Sequence, residues 1–180
     1  MTENIRSQMI EFLPRLRRFA YALTRNLEQA DDLVQDTCER ALARADQWQP
    51  GTRLDSWMYR IAQNIWFDAR RAAKVRGERA DLEDIAEISG SDGRTVVESR
   101  LTLASVFKEM DRLPHDQQVL VALVCIDGLS YKEAAETLQL PIGTVMSRLS
   151  RARQAIASAL MDTNPALAAA APGARLGKTS

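Results

Sequence analysis

The stretch "ADDLVQDTCE", Ala30 to Glu39, gathers four carboxylates: Asp31, Asp32, Asp36 and Glu39. Clustered carboxylates are the ligands of hard cations and the groups of paired acid–base chemistry. These four share one helical run and have no histidine beside them, which points away from a metal centre. The chain has a single histidine, His115, just after Leu113-Pro114. Its two cysteines, Cys38 and Cys125, are far apart and lack metal-ligand spacing, so they read as reduced thiols. No glycine-rich phosphate loop and no nucleophile motif is present. The sequence therefore implies no catalytic residue, no metal and no cofactor, and the chemistry to look for is binding.

One stretch carries it in plain view. In "LDSWMYRIAQNIWFDARRAAKVR", Leu54 to Arg76, the residues alternate at helical period. At ~100° per residue, Leu54, Trp57, Met58, Ile61, Ile65 and Ala72 fall on one side. Tyr59, Gln63, Trp66, Phe67, Arg70 and Lys74 fall opposite, flanked by Arg60, Asn64 and Arg71. Rings interleaved with cations have two readings. A neighbouring helix or domain covers the rings, or they stack on unpaired bases at roughly 1–3 kcal/mol each while the cations hold phosphates.

The elements that must position these residues are helices, since apolar residues recur at helical spacing and no strand alternation appears. The expected fold is all-α: two small helical domains joined by a flexible linker, the second a helix-turn-helix. The first spans 4–76. Pro14 suits an early helical turn leading into "RLRRFAYALT". Asn26 to Gln29 has the form of a capping box opening a helix over 27–45. The acidic, glycine-containing stretch 77–95 reads as the linker, with a short helical turn around Leu82 to Ile88, and the Ala/Gly/Pro-rich 162–180 as a disordered tail.

The second domain, 96–161, holds the most informative run. Ser130 to Glu133 is a capping box, "LQLPIG" is a tight break, and a second helix begins near Thr144. Val145, Leu149, Ala152 and Ile156 form its buried stripe. Met146, Ser147, Arg148, Ser150, Arg151 and Arg153 form its exposed side. Between Thr144 and Leu160 there are three arginines and no acid. This is the layout of a helix that enters the DNA major groove.

Overall charge balances, with 24 Lys/Arg against 24 Asp/Glu. Its distribution does not. Residues 1–77 carry 13 cations and 10 anions, and residues 78–100 carry 3 and 7. Global neutrality disfavours a protein that grips nucleic acid alone by bulk charge. No signal peptide is apparent, and "VLVALVCI" is too short to span a bilayer, so a cytoplasmic protein without membrane insertion is expected.

Three motifs taken together resemble the extracytoplasmic-function (ECF) sigma factors of bacterial RNA polymerase: "ADDLVQDTCERALARA", "LDSWMYRIAQNIWFDARR" and "LP…GLSYKEAAETLQLPIGTVMSRLSRAR". The resemblance covers Leu13 to Leu160. It implies a protein without an active site that lends promoter specificity to core polymerase. It places Asp32, Gln35, Asp36 and Glu39 against the polymerase clamp. The loop 49–53, with Gln49, Thr52 and Arg53, matches the one that captures a flipped base of the minus-ten element. Tyr59, Arg60, Asn64, Trp66, Phe67, Arg70, Arg71 and Lys74 would hold the melted strand, and Trp57 would fix the helix in place. At the minus-thirty-five element, Met146, Ser147, Ser150 and Arg151 match the base-facing side, and Thr144 at the helix start is a further DNA-binding position. Tyr131, Lys132, Arg148 and Arg153 would meet phosphates.

The partners implied are core RNA polymerase, promoter DNA and an anti-sigma factor. Departures from the family pattern are Met146 and Gln118, where DNA-contacting cations are common, and Gln139, where Gly or Asn eases the turn. "LPRLRRFAYALTRNLEQADDLVQD" is similar to the general-stress branch of alphaproteobacteria. The alternative reading is a stand-alone helix-turn-helix regulator, which would bind duplex DNA without polymerase.

Overall fold

A computed structural model describes residues 2–49, 51–76 and 103–163. Residues 77–95, expected as a linker, and 164–180 of the expected tail lie outside them. Every regular element among the described residues is helical.

The first lobe is three helices: α1 (Thr2–Thr24), α2 (Leu27–Ala43) and α3 (Leu54–Arg76). In α1 the buried residues Ile5, Met9, Phe12, Leu16, Phe19 and Leu23 recur at steps of three and four, which makes one continuous apolar stripe. That stripe carries the helix through Pro14, so the expectation of a helix starting near this proline is corrected. Pro14 lies mid-helix on the exposed side, where its missing N–H leaves only the solvent-facing Ile10 carbonyl without a helical donor. Asn26 caps α2, its side chain accepting the Gln29 N–H at 2.9 Å. This helix ends at Ala43, slightly earlier than expected.

The second lobe comprises α4 (103–110), α5 (His115–Val121), α6 (Tyr131–Leu138) and α7 (Ile142–Thr163). Beyond Val121 the chain widens into a π-helical turn, Ala122–Ile126. Gly128, at φ +82°, then redirects the chain into α6. The Ser130 capping box is complete: the Glu133 N–H bonds to Ser130 Oγ, and the Glu133 carboxylate accepts the Ser130 N–H at 2.8 Å. Between α6 and α7, Gln139 takes the left-handed conformation at φ 55°. A side chain there costs about 1–2 kcal/mol, which is why Gly or Asn would ease this turn. Ala134, Ala135, Val145, Leu149 and Ala152 seal the α6–α7 contact.

The two lobes pack against each other. α1 meets the π turn, and α3 meets α6. Arg25, left-handed at the α1–α2 junction (φ 59°), places its guanidinium 4.1 Å from the Phe107 ring of α4. Its Nε lies 3.6 Å from Asp111. Burial pushes the Arg25 pKa down to about 10, against the pull of Asp111. Burial likewise raises that of Asp111.

Candidate nucleic-acid interface

The α2 face is the simplest surface. Asp32, Gln35, Asp36 and Glu39 are all exposed, spaced so that consecutive turns present them together. Gln35 donates to Glu39 at 2.9 Å. Asp31 is engaged elsewhere, with both carboxylate oxygens on Arg17 of α1 at 2.7 and 2.9 Å. Among the described residues no group of three His, Cys, Asp or Glu side chains is arranged to hold a metal ion.

A cleft of about 420 Å³ lies where the loop before α3 meets the second lobe. Its walls include Trp48, Gln49, Thr52, Arg53, Trp57 and Arg60, with Glu136 of α6 closing one side. Gly51 at φ +89° turns the loop, and Thr52 fastens it by donating to the Gln49 carbonyl at 2.7 Å. The expected base-capturing residues Gln49, Thr52 and Arg53 are thus brought together and exposed.

Two rings of α3 require correction. Tyr59, expected on the outer face, is fully buried (0%). It stands edge-on to Phe12 and Phe19 of α1, at 4.9 Å from each. Its hydroxyl donates to Asp127 of the second lobe, and burial followed by that bond raises its pKa. Trp66 is also buried, at 4%, with His115 edge-on at 5.1 Å. The wheel assumed one neighbour for α3. The helix has three, since α1, α2 and the second lobe all pack on it. Phe67, Arg60 and Arg70 remain half-buried, and Asn64, Arg71 and Lys74 are exposed. Arg70 lies over the Trp66 ring at 5.7 Å.

On α7 the side chains Met146, Ser147, Ser150 and Arg151 are exposed, with Thr144 half-buried at the start. Met146 is 52% exposed, a large apolar group in open solvent on that face. Arg153 donates to the Tyr131 hydroxyl at 2.8 Å, which sets these two side chains beside each other. Lys132 is exposed, and Arg148 pairs with Asp116 at 2.9 Å. Gln118 is a second correction. It is not on the DNA-facing side but buried (1%), donating to the carbonyls of Asp111 and Leu113 at 3.2 and 2.8 Å. It closes the backbone of the α4–α5 corner, where orphan carbonyls need a donor.

Sequence reasoning missed Arg15, Arg18, Asp127 and Glu133. None of the four stands in a motif that points to a partner in the other lobe. The side chain of Asp127 is fully enclosed (0%). It takes Arg15 Nη2 at 2.8 Å, Arg18 Nη2 at 3.1 Å and the Tyr59 hydroxyl. Arg53 likewise reaches Glu133 at 3.1 Å. No spacing along the chain announces contacts between residues this distant in sequence.

Comparison with known proteins follows this division. Residues 9–63 match the family model for the Sigma2 domain of PhyR, and residues 97–156 match that for sigma-70, region 4. The chain is 34% identical over 160 residues to the ECF RNA polymerase sigma factor EcfG of Rhodopseudomonas palustris, covering 89% of this chain and 87% of that one. Among solved structures it resembles the sigma factor RpoE in complex with the anti-sigma factor NepR from Bartonella quintana. That likeness has a TM-score of 0.68 and 30% identity, covering 88% of this chain and 97% of the other. It also resembles CnrH in complex with the cytosolic domain of CnrY, with a TM-score of 0.66 and 26% identity, covering 91% of each chain.

Proposed function

The chain belongs to the ECF sigma factors of bacterial RNA polymerase, and from that premise we propose how its surfaces divide the work. It binds core RNA polymerase and directs promoter recognition and opening at the start of transcription. The observation that carries this is the order of two matched domains along nearly the whole length of a family member. The bond-forming chemistry belongs to core polymerase, and this chain supplies no catalytic group.

The exposed acid and amide face of α2, with Asp32, Gln35, Asp36 and Glu39, docks on a basic helical surface of the polymerase. The cleft at Gln49, Thr52 and Arg53 takes an unstacked base of the minus-ten element, and Arg60, Asn64, Phe67, Arg70, Arg71 and Lys74 hold the strand beside it. Trp66, covered by His115, joins that surface only when the second lobe moves away, whereas the Tyr59 ring stays in the first lobe's core against Phe12 and Phe19. At the minus-thirty-five element, Met146, Ser147, Ser150 and Arg151 face bases from α7, with Thr144 at its start. Tyr131, Lys132, Arg148 and Arg153 position the helix on phosphates. The arrangement supports an anti-sigma factor as a further partner, as in the two solved complexes it resembles. Its work is placed in the cytoplasm by the core polymerase it would serve; no helix among the described residues is long and apolar enough to cross a membrane.

Size-exclusion chromatography with bacterial core polymerase tests this. Co-elution is expected, and charge reversal at Asp32 and Asp36 should abolish it. A chain that never co-elutes with active core polymerase, yet shifts duplex DNA alone, would be a stand-alone regulator instead.

A further inference from the structure

The contacts between the lobes form a chain of alternating charge. Arg18 and Arg15 both bond to Asp127, at 3.1 and 2.8 Å. Arg15 also lies 3.6 Å from Asp55 Oδ2, the oxygen that accepts from Arg53 at 2.7 Å. Arg53 in turn bonds to Glu133 at 3.1 Å. The three arginines and Asp55 belong to the first lobe, whereas Asp127 and Glu133 belong to the second. If the lobes part, three guanidinium groups remain with one carboxylate. Such a cationic row is a site for an anion, and Arg53 sets its end at the wall of the 420 Å³ cleft.

The shape of the occupied site narrows the ligand. Arg15 approaches one oxygen of Asp127 at 2.8 Å with Nη2 and the other at 3.4 Å with Nε, while Arg18 reaches the latter oxygen. The Tyr59 hydroxyl adds a third donor group. The two non-bridging oxygens of a phosphodiester present the same fork as a carboxylate and take the same donors. A row of three cations suits a repeating anion, which a nucleic-acid strand is.

We propose that Arg15, Arg18 and Arg53 form a phosphodiester-binding row for single-stranded DNA, which Asp127 and Glu133 occupy as internal stand-ins while the lobes are packed together. The proposal rests on the reading that this side of the first lobe meets the melted strand. It adds that α1 contributes the phosphate contacts and that the second lobe competes for them. The closed chain is thereby held away from DNA by its own acids, and promoter engagement requires exchanging two carboxylates for phosphates.

The experiment measures fluorescence anisotropy of a labelled oligothymidylate, whose backbone probes phosphate contacts without sequence, with the full-length free protein. Asp127→Asn keeps the shape of the side chain and removes its charge. It should tighten binding by about tenfold, and Glu133→Gln, which preserves the helix cap, should tighten it less. Adding Arg15→Gln and Arg18→Gln to Asp127→Asn should abolish the gain. It should also flatten the slope of log affinity against log salt by about 1.4, the contribution of two phosphate contacts on a single strand. A folded Asp127→Asn chain that binds no more tightly than the parent overturns the competition. A gain that survives loss of both arginines with its salt slope intact overturns the phosphate row. So does a released chain that prefers an acidic peptide to the oligonucleotide. Core-polymerase co-elution is measured on the same samples. It depends on α2, where nothing is changed, so its loss would count against the sigma reading and not against the row.

Discussion

The imidazole of His115 lies against the ring of Phe67, 6.2 Å between centroids and 25° from parallel. One residue opens α5 in the second lobe and the other sits midway along α3 in the first. Trp66 meets the same imidazole edge-on, so one side chain covers two of the rings that α3 would offer to a melted strand.

This contact should respond to acidity. Burial lowers the pKa of His115 below its ordinary 6.5, and Arg70 and Lys74 of α3 push the same way, while Asp116 opposes them. The packed arrangement therefore favours the neutral ring. The stabilisation His115 gives to it is fully present above pH 6.5 and is lost as pH falls through the lowered value. Energy transfer between labels on the two lobes should report more separation at acid pH. His115→Gln should remove that component of the profile, and an unchanged profile would exclude His115 as its source.

Gln118 predicts a separation between stability and recognition. Gln118→Ala leaves the Asp111 and Leu113 carbonyls without their donor. The loss should be about 1–3 kcal/mol, read from urea unfolding of the second lobe. Promoter preference at minus-thirty-five should not move. A shifted preference without a change in stability would restore the DNA-facing role.

Arg151, exposed on α7, should behave oppositely. Arg151→Ala should cost about 1–3 kcal/mol of discrimination between intact and altered minus-thirty-five elements. The fold should be unaffected. Transcription in vitro from the two promoters gives the ratio directly, and an unaltered ratio would remove Arg151 from base readout.

The two neighbouring rings of α3 should part company as well. Phe67→Ala, at a half-buried position, should slow promoter opening, seen as weaker permanganate reactivity of minus-ten thymines in the holoenzyme. Trp66→Ala removes a side chain enclosed by both lobes, so it should also destabilise the free chain by about 3–5 kcal/mol. Normal permanganate reactivity in Phe67→Ala would argue against stacking.

The helices and the break before α7 were legible because their causes are local. Asn26 and Ser130 are caps written in sequence, and the stripes of α3 and α7 follow the helical period, save that Ala72 at the far end of the α3 stripe is exposed. The acid face of α2 was legible for the same reason. Tyr59 and Gln118 were not, because their burial depends on which helix crosses them. A wheel gives the direction of a side chain and not the number of neighbours it will meet. Pro14 misled differently: a strong local signal yielded to an apolar stripe running through it on the opposite side. The grip of Arg15, Arg18 and Tyr59 on Asp127 joins residues more than sixty positions apart, and depends wholly on how the lobes pack.

Because Asp127 and its three holders belong to the same molecule, their engagement is unimolecular. The ratio of latched to unlatched chains is therefore independent of how much protein is present, while every encounter with polymerase, DNA or an inhibitor follows mass action. Dilution leaves the ratio untouched, and overproduction raises both forms alike. At fixed pH, salt and temperature, only a second molecule that prefers one form can change it. For this chain, abundance alone sets how many copies exist, and the company they keep sets how many are open.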